Sequence, residues 1–126
     1  MKLIQILVLS VLIITVGCSN TSKQDVLNYL ASDSSERYRI HIFYKDRTQL
    51  DDKLLVYWNS KQELLELIQG IQLFDVEVKK NKEMANALEL DDFPCLIVMN
   101  DQEVVLETKD LVDIEDFFNK LVNEDK

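Results

Sequence analysis

The chain has 126 residues and a formal net charge of -9 at pH 7, with 47% hydrophobic and 29% charged residues. This length is enough for one domain with a modest core. Because binding to nucleic acid requires clustered Lys and Arg, the acidic balance argues against nucleic acid as a partner.

The N-terminal segment has the pattern of an export signal. Met1 and Lys2 precede an apolar run over residues 3–16, and small residues follow this run. The run is shorter than a typical transmembrane helix. The alternative interpretation is an uncleaved anchor helix. Both interpretations place the rest of the chain outside the cytoplasmic membrane.

The end of this run carries a short motif around the first cysteine. Thr15-Val16-Gly17-Cys18 resembles the bacterial lipobox, in which the cysteine is lipidated and becomes the first mature residue. The resemblance implies a lipoprotein signal peptide over residues 1–17, a palmitate-type lipid on Cys18 and attachment to the bacterial cell membrane. Cys95 would then be the only free thiol, so no intramolecular disulfide is expected.

Residues 18–37 are predicted to be a polar tether that begins with the lipidated cysteine, because the segment is rich in Ser, Asn and Asp. An apolar cluster over residues 26–30 has the spacing of a short amphipathic helix. Ser22 or Asp25 is available to cap this helix.

Residues 38–44 alternate in the manner of a strand. The segment contains His41, which is the only histidine. No Cys, Asp or Glu lies at ligand spacing around it, so the pattern favours an ordinary sheet residue over a proton shuttle or a metal ligand.

The next segment combines a short apolar run with a helix signal. Residues 54–58 are apolar and fit a second strand, and residues 60–63 have the form of a capping box. The capping box predicts a helix with its apolar face over residues 64–71 and with Gly70 near its end. Residues 74–78 then alternate as a further strand.

The longest apolar run of the mature region follows the only proline. Residues 81–88 are predicted to form a short helix with Asn81 as its cap, and Pro94 then precedes the run over residues 95–99. Five apolar residues in succession predict a strand that is covered on both faces. Proline is tolerated at the start of a strand, where a cis peptide bond also occurs.

The C-terminal part is predicted to be a hairpin strand and a helix. Asn100 and Asp101 form a tight turn into a strand over residues 103–108, which pairs antiparallel with the preceding strand. The last helix is predicted to begin with Asp113 as N-cap and carries an apolar stripe over residues 114–122.

From residue 73 onward, the order of strand, helix, proline-led strand, hairpin and terminal helix resembles the C-terminal half of the thioredoxin fold. Asp92-Phe93-Pro94-Cys95 looks like the loop of that family in which a cis proline precedes the central strand and Thr commonly follows the proline. The resemblance implies an α/β domain over residues 38–126, with a central mixed sheet, flanking helices and a C-terminal strand-hairpin-helix unit.

The first half leaves two candidates for the strand that leads into the active-site helix of this family. The capping box favours residues 54–58, whereas the wider separation from the strand at Phe74 favours residues 39–44. Neither segment is followed by a Cys-x-x-Cys pair, with which a dithiol attacks a substrate disulfide and resolves the mixed intermediate. Thioredoxin-type dithiol catalysis is therefore excluded.

The first functional hypothesis is an extracytoplasmic lipoprotein whose redox-inactive domain is a binding or structural module. Its partner would be an envelope protein or a cell-wall component, besides the membrane that Cys18 reaches through its lipid. No catalytic residue, cofactor site or metal site can be assembled from the motifs. The acidic pairs Asp51-Asp52 and Asp91-Asp92 lack the spaced ligands and the glycine of a calcium loop.

The second hypothesis is a redox role for Cys95 alone. The thioredoxin resemblance places the residue after Pro94 in the substrate groove, where a thiol can form a mixed disulfide with a partner. A cysteine that leads into a central strand is more often a small core residue, and an apolar site raises its pKa. A third class, a hydrolase with paired carboxylates, has no marked acid pair in the sequence.

Overall fold

A computed structural model describes residues 22–124 of the chain. The elements are α1 (Lys23–Leu30), β1 (Tyr38–Tyr44), α2 (Leu50–Trp58), α3 (Gln62–Leu67), β2 (Ile68–Asp75), α4 (Lys79–Ala87), β3 (Cys95–Met99), β4 (Val104–Thr108) and α5 (Leu111–Glu124). The four strands form one sheet in the order β2-β1-β3-β4. β1 and β2 are parallel, and the other neighbouring pairs are antiparallel. This mixed sheet with flanking helices confirms the predicted α/β fold class.

Strand β3 is buried along its whole length, as its continuous apolar run predicts. Cys95, Ile97 and Met99 point into a core that α1 and α4 cover, and Leu96 and Val98 point into a second core on the opposite face. The second core is covered by α2, α3 and α5. The sheet therefore lies between two helical layers.

The position of β1 shows which of the two candidate segments, residues 39–44 or residues 54–58, is the strand before α2. β1 ends at Tyr44, and α2 follows after a short loop, so residues 39–44 are the strand in question. The alternative was wrong because residues 54–58 lie inside α2. Their apolar side chains do not share one environment, since Leu54 is fully buried while Val56 is 73% exposed.

The predicted helix over residues 64–71 is too long. α3 ends at Leu67, and Ile68 and Ile71 lie in β2, where pairing with β1 overrides the helical spacing of the apolar residues. The capping box does not form. Lys61 is the N-cap of α3, and the Ser60 hydroxyl donates to the Tyr57 carbonyl at 2.6 Å.

The strand predicted over residues 74–78 stops at Asp75, because the chain turns there into α4. The Asp75 carbonyl accepts hydrogen bonds from the Val78 N–H at 3.1 Å and from the Asn81 amide at 3.0 Å. Val78 is the N-cap of α4, so the prediction of Asn81 as cap was wrong.

The hairpin of β3 and β4 is confirmed, and the Asn100 side chain holds its turn. Its Oδ1 accepts the backbone N–H groups of Gln102 and Glu103, each at 2.8 Å. The following helix α5 begins at Leu111 rather than after Asp113. Asp113 lies in its first turn, where the carboxylate accepts a hydrogen bond from the Thr108 hydroxyl.

Helix α1 is part of the packed domain. The Ser22 hydroxyl caps it by accepting the Asp25 N–H at 3.1 Å, as predicted. Val26 and Leu30 are buried against the core on the α1 and α4 side. α1 thus packs against the sheet within the range 18–37, for which the sequence predicts a polar tether.

Two side chains of β1 cap the C-terminal end of α1. His41 Nε2 donates to the Leu30 carbonyl at 2.7 Å, and Arg39 donates to the Ala31 carbonyl at 3.1 Å. Since a carbonyl only accepts, Nε2 carries the proton of the neutral ring. Burial lowers the pKa of His41 to about 4, and the charge of Arg39 acts in the same direction.

We predict that the free energy of unfolding falls as the pH drops from about 6.5 to about 4. In this range the unfolded chain binds a proton on His41 that the folded chain does not bind, so stability is lost on acidification. The gap between the two pKa values corresponds to about 3 kcal/mol. Chemical denaturation at several pH values measures the loss.

The matched control is His41→Gln, whose side-chain amide keeps a donor near the Leu30 carbonyl but does not titrate. Carboxylates also titrate in this pH range. The result is therefore the difference between the two chains in how steeply the free energy of unfolding changes with pH. The same pH dependence in both chains would contradict the assignment to His41.

Candidate functional site

The pairing of β1 with β3 fixes the position of the Pro94 loop. Phe43 pairs with Cys95, so Pro94 lies beside the end of β1, where the chain leaves the sheet towards α2. The Phe93–Pro94 peptide bond is cis. The proline loop and the loop over residues 45–49 therefore meet at one end of the sheet.

Cys95 lies at the edge of the core that α1 and α4 cover. Its side chain is only 6% exposed, and it packs in the same apolar cluster as Phe43 and Leu90. Burial, together with a smaller effect of the nearby Glu107 carboxylate, raises the pKa of the thiol to about 11. At neutral pH the thiol is therefore protonated, and a protonated thiol is a poor nucleophile.

A shallow pocket of about 250 Å³ reaches the surface beside Cys95. Its charged side chains are mainly acidic; they are Glu89, Asp91, Asp92, Glu107 and Lys109. The only basic member, Lys109, forms an ion pair with Asp92. Acidic surroundings disfavour a thiolate, so the pocket offers no electrostatic activation of Cys95.

A second, larger crevice lies on the other side of the same end of the sheet. It has a volume of about 380 Å³ and is lined by Ile42, Tyr44, Lys45, Arg47, Thr48, Asp51, Leu73 and Asp75. The apolar side chains come from β1 and β2, and the basic ones from the loop before α2. The crevice thus combines an apolar wall with charges of both signs, which suits non-covalent contacts.

The loop before α2 is the place where the thioredoxin resemblance implies the dithiol. Residues 45–49 and the first turn of α2 contain no cysteine. The Thr48 hydroxyl instead accepts the Leu50 N–H at 2.8 Å and holds the start of the helix. This loop therefore brings Lys45, Asp46 and Arg47 to the site and no thiol.

The remaining candidate residues lie apart from one another. Asp51 and Asp52 are in the first turn of α2, where they complement the helix dipole. His41 is buried under α1. Across residues 22–124, no group of three or more His, Cys, Asp or Glu side chains is arranged to hold a metal ion.

The predicted signal peptide over residues 1–17 and the predicted lipid site at Cys18 lie outside the described residues. Within residues 22–124, no helix has the length and apolar character needed to cross a membrane.

Sequence reasoning missed the crevice between β1 and β2. Its residues come from three segments that only the parallel pairing of these strands brings together, with Ile42 beside Leu73 and Tyr44 beside Asp75. The available signal was the pair of basic residues, Lys45 and Arg47, directly after a strand. In α/β sheets, ligands bind at the carboxyl ends of parallel strands.

Comparison with known proteins identifies the fold. Neither a protein-family model nor a curated protein matches the sequence. Thioredoxin f2 of Chlamydomonas reinhardtii superposes with a TM-score of 0.57 and 14% identity, covering 82% of this chain and 95% of that chain. Fasciola hepatica thioredoxin superposes with a TM-score of 0.54 and 12% identity, covering 75% of this chain and 86% of that chain. A mutant thioredoxin from Halobacterium salinarum superposes with a TM-score of 0.50 and 25% identity, covering 78% of this chain and 80% of that chain. The chain therefore has a thioredoxin-like fold.

Proposed function

We propose that this protein is an extracytoplasmic lipoprotein, anchored to the bacterial membrane by a lipid on Cys18, whose thioredoxin-like domain binds a partner without exchanging thiols. The partner is an envelope protein or a cell-wall component. The lipobox-like motif before Cys18 supports the anchor, and the geometry around Cys95 supports the absence of thiol chemistry.

The state of Cys95 is the observation that carries the proposal. A thiol that exchanges disulfides must be both accessible and partly ionised. Cys95 is 6% exposed, and burial raises its pKa to about 11. The neighbouring loop over residues 45–49 supplies no second thiol to resolve a mixed disulfide.

The crevice beside the loop is the binding surface that we assign to this function. Lys45 and Arg47 are exposed at its rim, while Ile42 and Leu73 form part of its apolar wall. A partner that presents an apolar group together with an acidic group complements this lining. Lys45 and Arg47 give the acidic group of such a partner an attractive contact, while Asp51 and Asp75 in the same lining favour a basic group beside it.

A redox role for Cys95 alone is the second candidate, and one observation favours it. The cysteine lines the pocket of about 250 Å³, so a small reagent has a path towards the sulfur. The two candidates predict different thiol reactivity.

We predict that Cys95 reacts slowly with a soluble thiol reagent in a folded Cys18→Ser chain, in which Cys95 is the only cysteine. The rise of its pKa from 9.0 to about 11 lowers the thiolate fraction near neutral pH about 100-fold. Steric protection slows the reaction further. The rate of modification is measured by absorbance at several pH values. It should keep rising beyond pH 9, and it should increase sharply once the chain is unfolded.

The matched control carries an exposed thiol in place of the buried one, as Cys18→Ser, Val56→Cys and Cys95→Ser combined. Position 56 is 73% exposed, so its thiol should react like a free cysteine. A Cys95 rate that matches this control and levels off below pH 9 would favour the redox candidate instead.

We predict that Cys18 is the lipid site. In a bacterial host fed with labelled palmitate, the full chain should incorporate the label, Cys18→Ala should lose it, and Cys95→Ala should keep it. Autoradiography of the immunoprecipitated chain gives the result. Label that persists in Cys18→Ala, or that never enters the parent chain, would refute the anchor.

A further inference from the structure

The outer edge of β2 is open. Sheet order places β2 at one side, where it pairs only with β1 among the strands of residues 22–124. The strand has eight residues, contains no Lys or Pro, and carries its single charge at its last residue, Asp75. Proteins usually protect long edge strands with charged residues, proline or a covering element, because such edges pair readily with other chains.

The backbone groups that face outward can be identified. The Val76 N–H donates to the Tyr44 carbonyl at 2.9 Å, so it points towards β1. Because the direction alternates along a strand, Gln72 and Phe74 also point towards β1, whereas Ile71 and Leu73 direct their N–H and C=O groups away from the sheet. These outward groups form a row that another strand can bind.

Gly70 lies beside a β-bulge, because Tyr38 pairs with Ile68 and Arg39 pairs with Gly70, which leaves Gln69 without a partner on β1. The φ angle of Gly70 is not positive, and a Cβ atom built at this position meets nothing within 4 Å. Glycine weakens a strand interior, and it often marks a place where another backbone approaches closely. The bulge accounts for a glycine at this position, and the open space beside Gly70 leaves room for a neighbouring strand.

We infer that β2 pairs with β2 of a second copy of this chain, antiparallel, across a two-fold axis at Gln72. In this register Ile71 lies opposite the second copy's Leu73, and the two residues exchange their outward hydrogen bonds. The pairing covers Leu73, which is 49% exposed in the single chain. Gly70 lies opposite the second copy's Phe74, so a small residue faces a large one at the next position.

Charges near the ends of β2 are complementary in this arrangement. Glu66 lies just before β2, so antiparallel pairing places it near the end of the second copy's β2, where Lys45 and Arg47 lie at the rim of the crevice. Asp75 lies opposite the second copy's Gln69, so the two Asp75 carboxylates do not face each other. Opposite charges therefore meet locally although each chain is acidic overall.

This interface does not depend on the lipid or the thiol of the proposed function, but it shares Leu73 and Asp75 with the crevice that we assign to the partner. It uses neither Cys18, Pro94 nor Cys95, and it leaves the pocket beside Cys95 open. Loss of dimer formation would therefore leave the thiol and palmitate experiments unaffected.

The test is a cross-link at the axis in the full chain, held in detergent micelles. Residues at a non-hydrogen-bonded antiparallel pair have Cα atoms about 4.5 Å apart, which is within the range for a disulfide. Gln72→Cys in a Cys18→Ser background should therefore form a disulfide dimer on mild oxidation, seen on a non-reducing gel. Val56→Cys in the same background is the control and should form several-fold less dimer.

The oligomeric state of edge variants gives the second measurement. Leu73→Pro removes an outward N–H without removing a hydrogen bond to β1, and Leu73→Lys places a charge at the edge. Sedimentation should show a dimer for the parent chain and a monomer for either folded variant, with Val56→Lys still dimeric. A monomeric parent chain, or Gln72→Cys cross-linking no more than Val56→Cys, would overturn the inference.

Discussion

Strand β3 is buried on both faces, and this burial determines where most of the other elements lie. β1 and β4 pair with its two edges, while the helices form one layer on each side of the sheet. Cys95 is its first residue, so the packing that stabilises the sheet also removes the thiol from water. The raised pKa of this thiol and the stability of the fold thus have the same physical cause.

The domain has a thioredoxin-like scaffold, but the side chains at its candidate site are not those of a dithiol centre. Acidic residues line the pocket beside the thiol, and the loop over residues 45–49, where the thioredoxin resemblance implies a dithiol, carries Lys45, Asp46 and Arg47 instead. Non-covalent recognition fits these charges better than thiol exchange does. The open edge of β2 borders the crevice at Leu73 and Asp75, whereas the Pro94 loop lies beside the end of β1, so pairing of two copies would leave the Pro94 loop accessible to a partner.

The sequence predicted the second half of the fold well because its signals there were local and unambiguous. A continuous apolar run, a proline before it and an Asn-led turn after it each have one favoured structure. The helix predicted before β2 was too long because Leu64 and Ile68 have helical spacing. Ile68 belongs to β2, whose pairing with β1 is a long-range effect. Ser60 and Asn81 are not caps because α3 begins after Lys61 and α4 begins before Asn81, and their side chains donate to nearby carbonyl groups. The crevice could not be predicted in detail, since the pairing of β1 and β2 assembles it from distant segments.

The central claim is that this domain does not exchange disulfides, and the most direct measurement is its effect on the reduction of a protein disulfide. The full chain is mixed with insulin and a dithiol reductant, and the precipitation of the reduced insulin chains is followed by light scattering. We predict the same rate with the parent chain, with Cys95→Ser and with buffer alone. Acceleration by the parent chain that Cys95→Ser abolishes would contradict it.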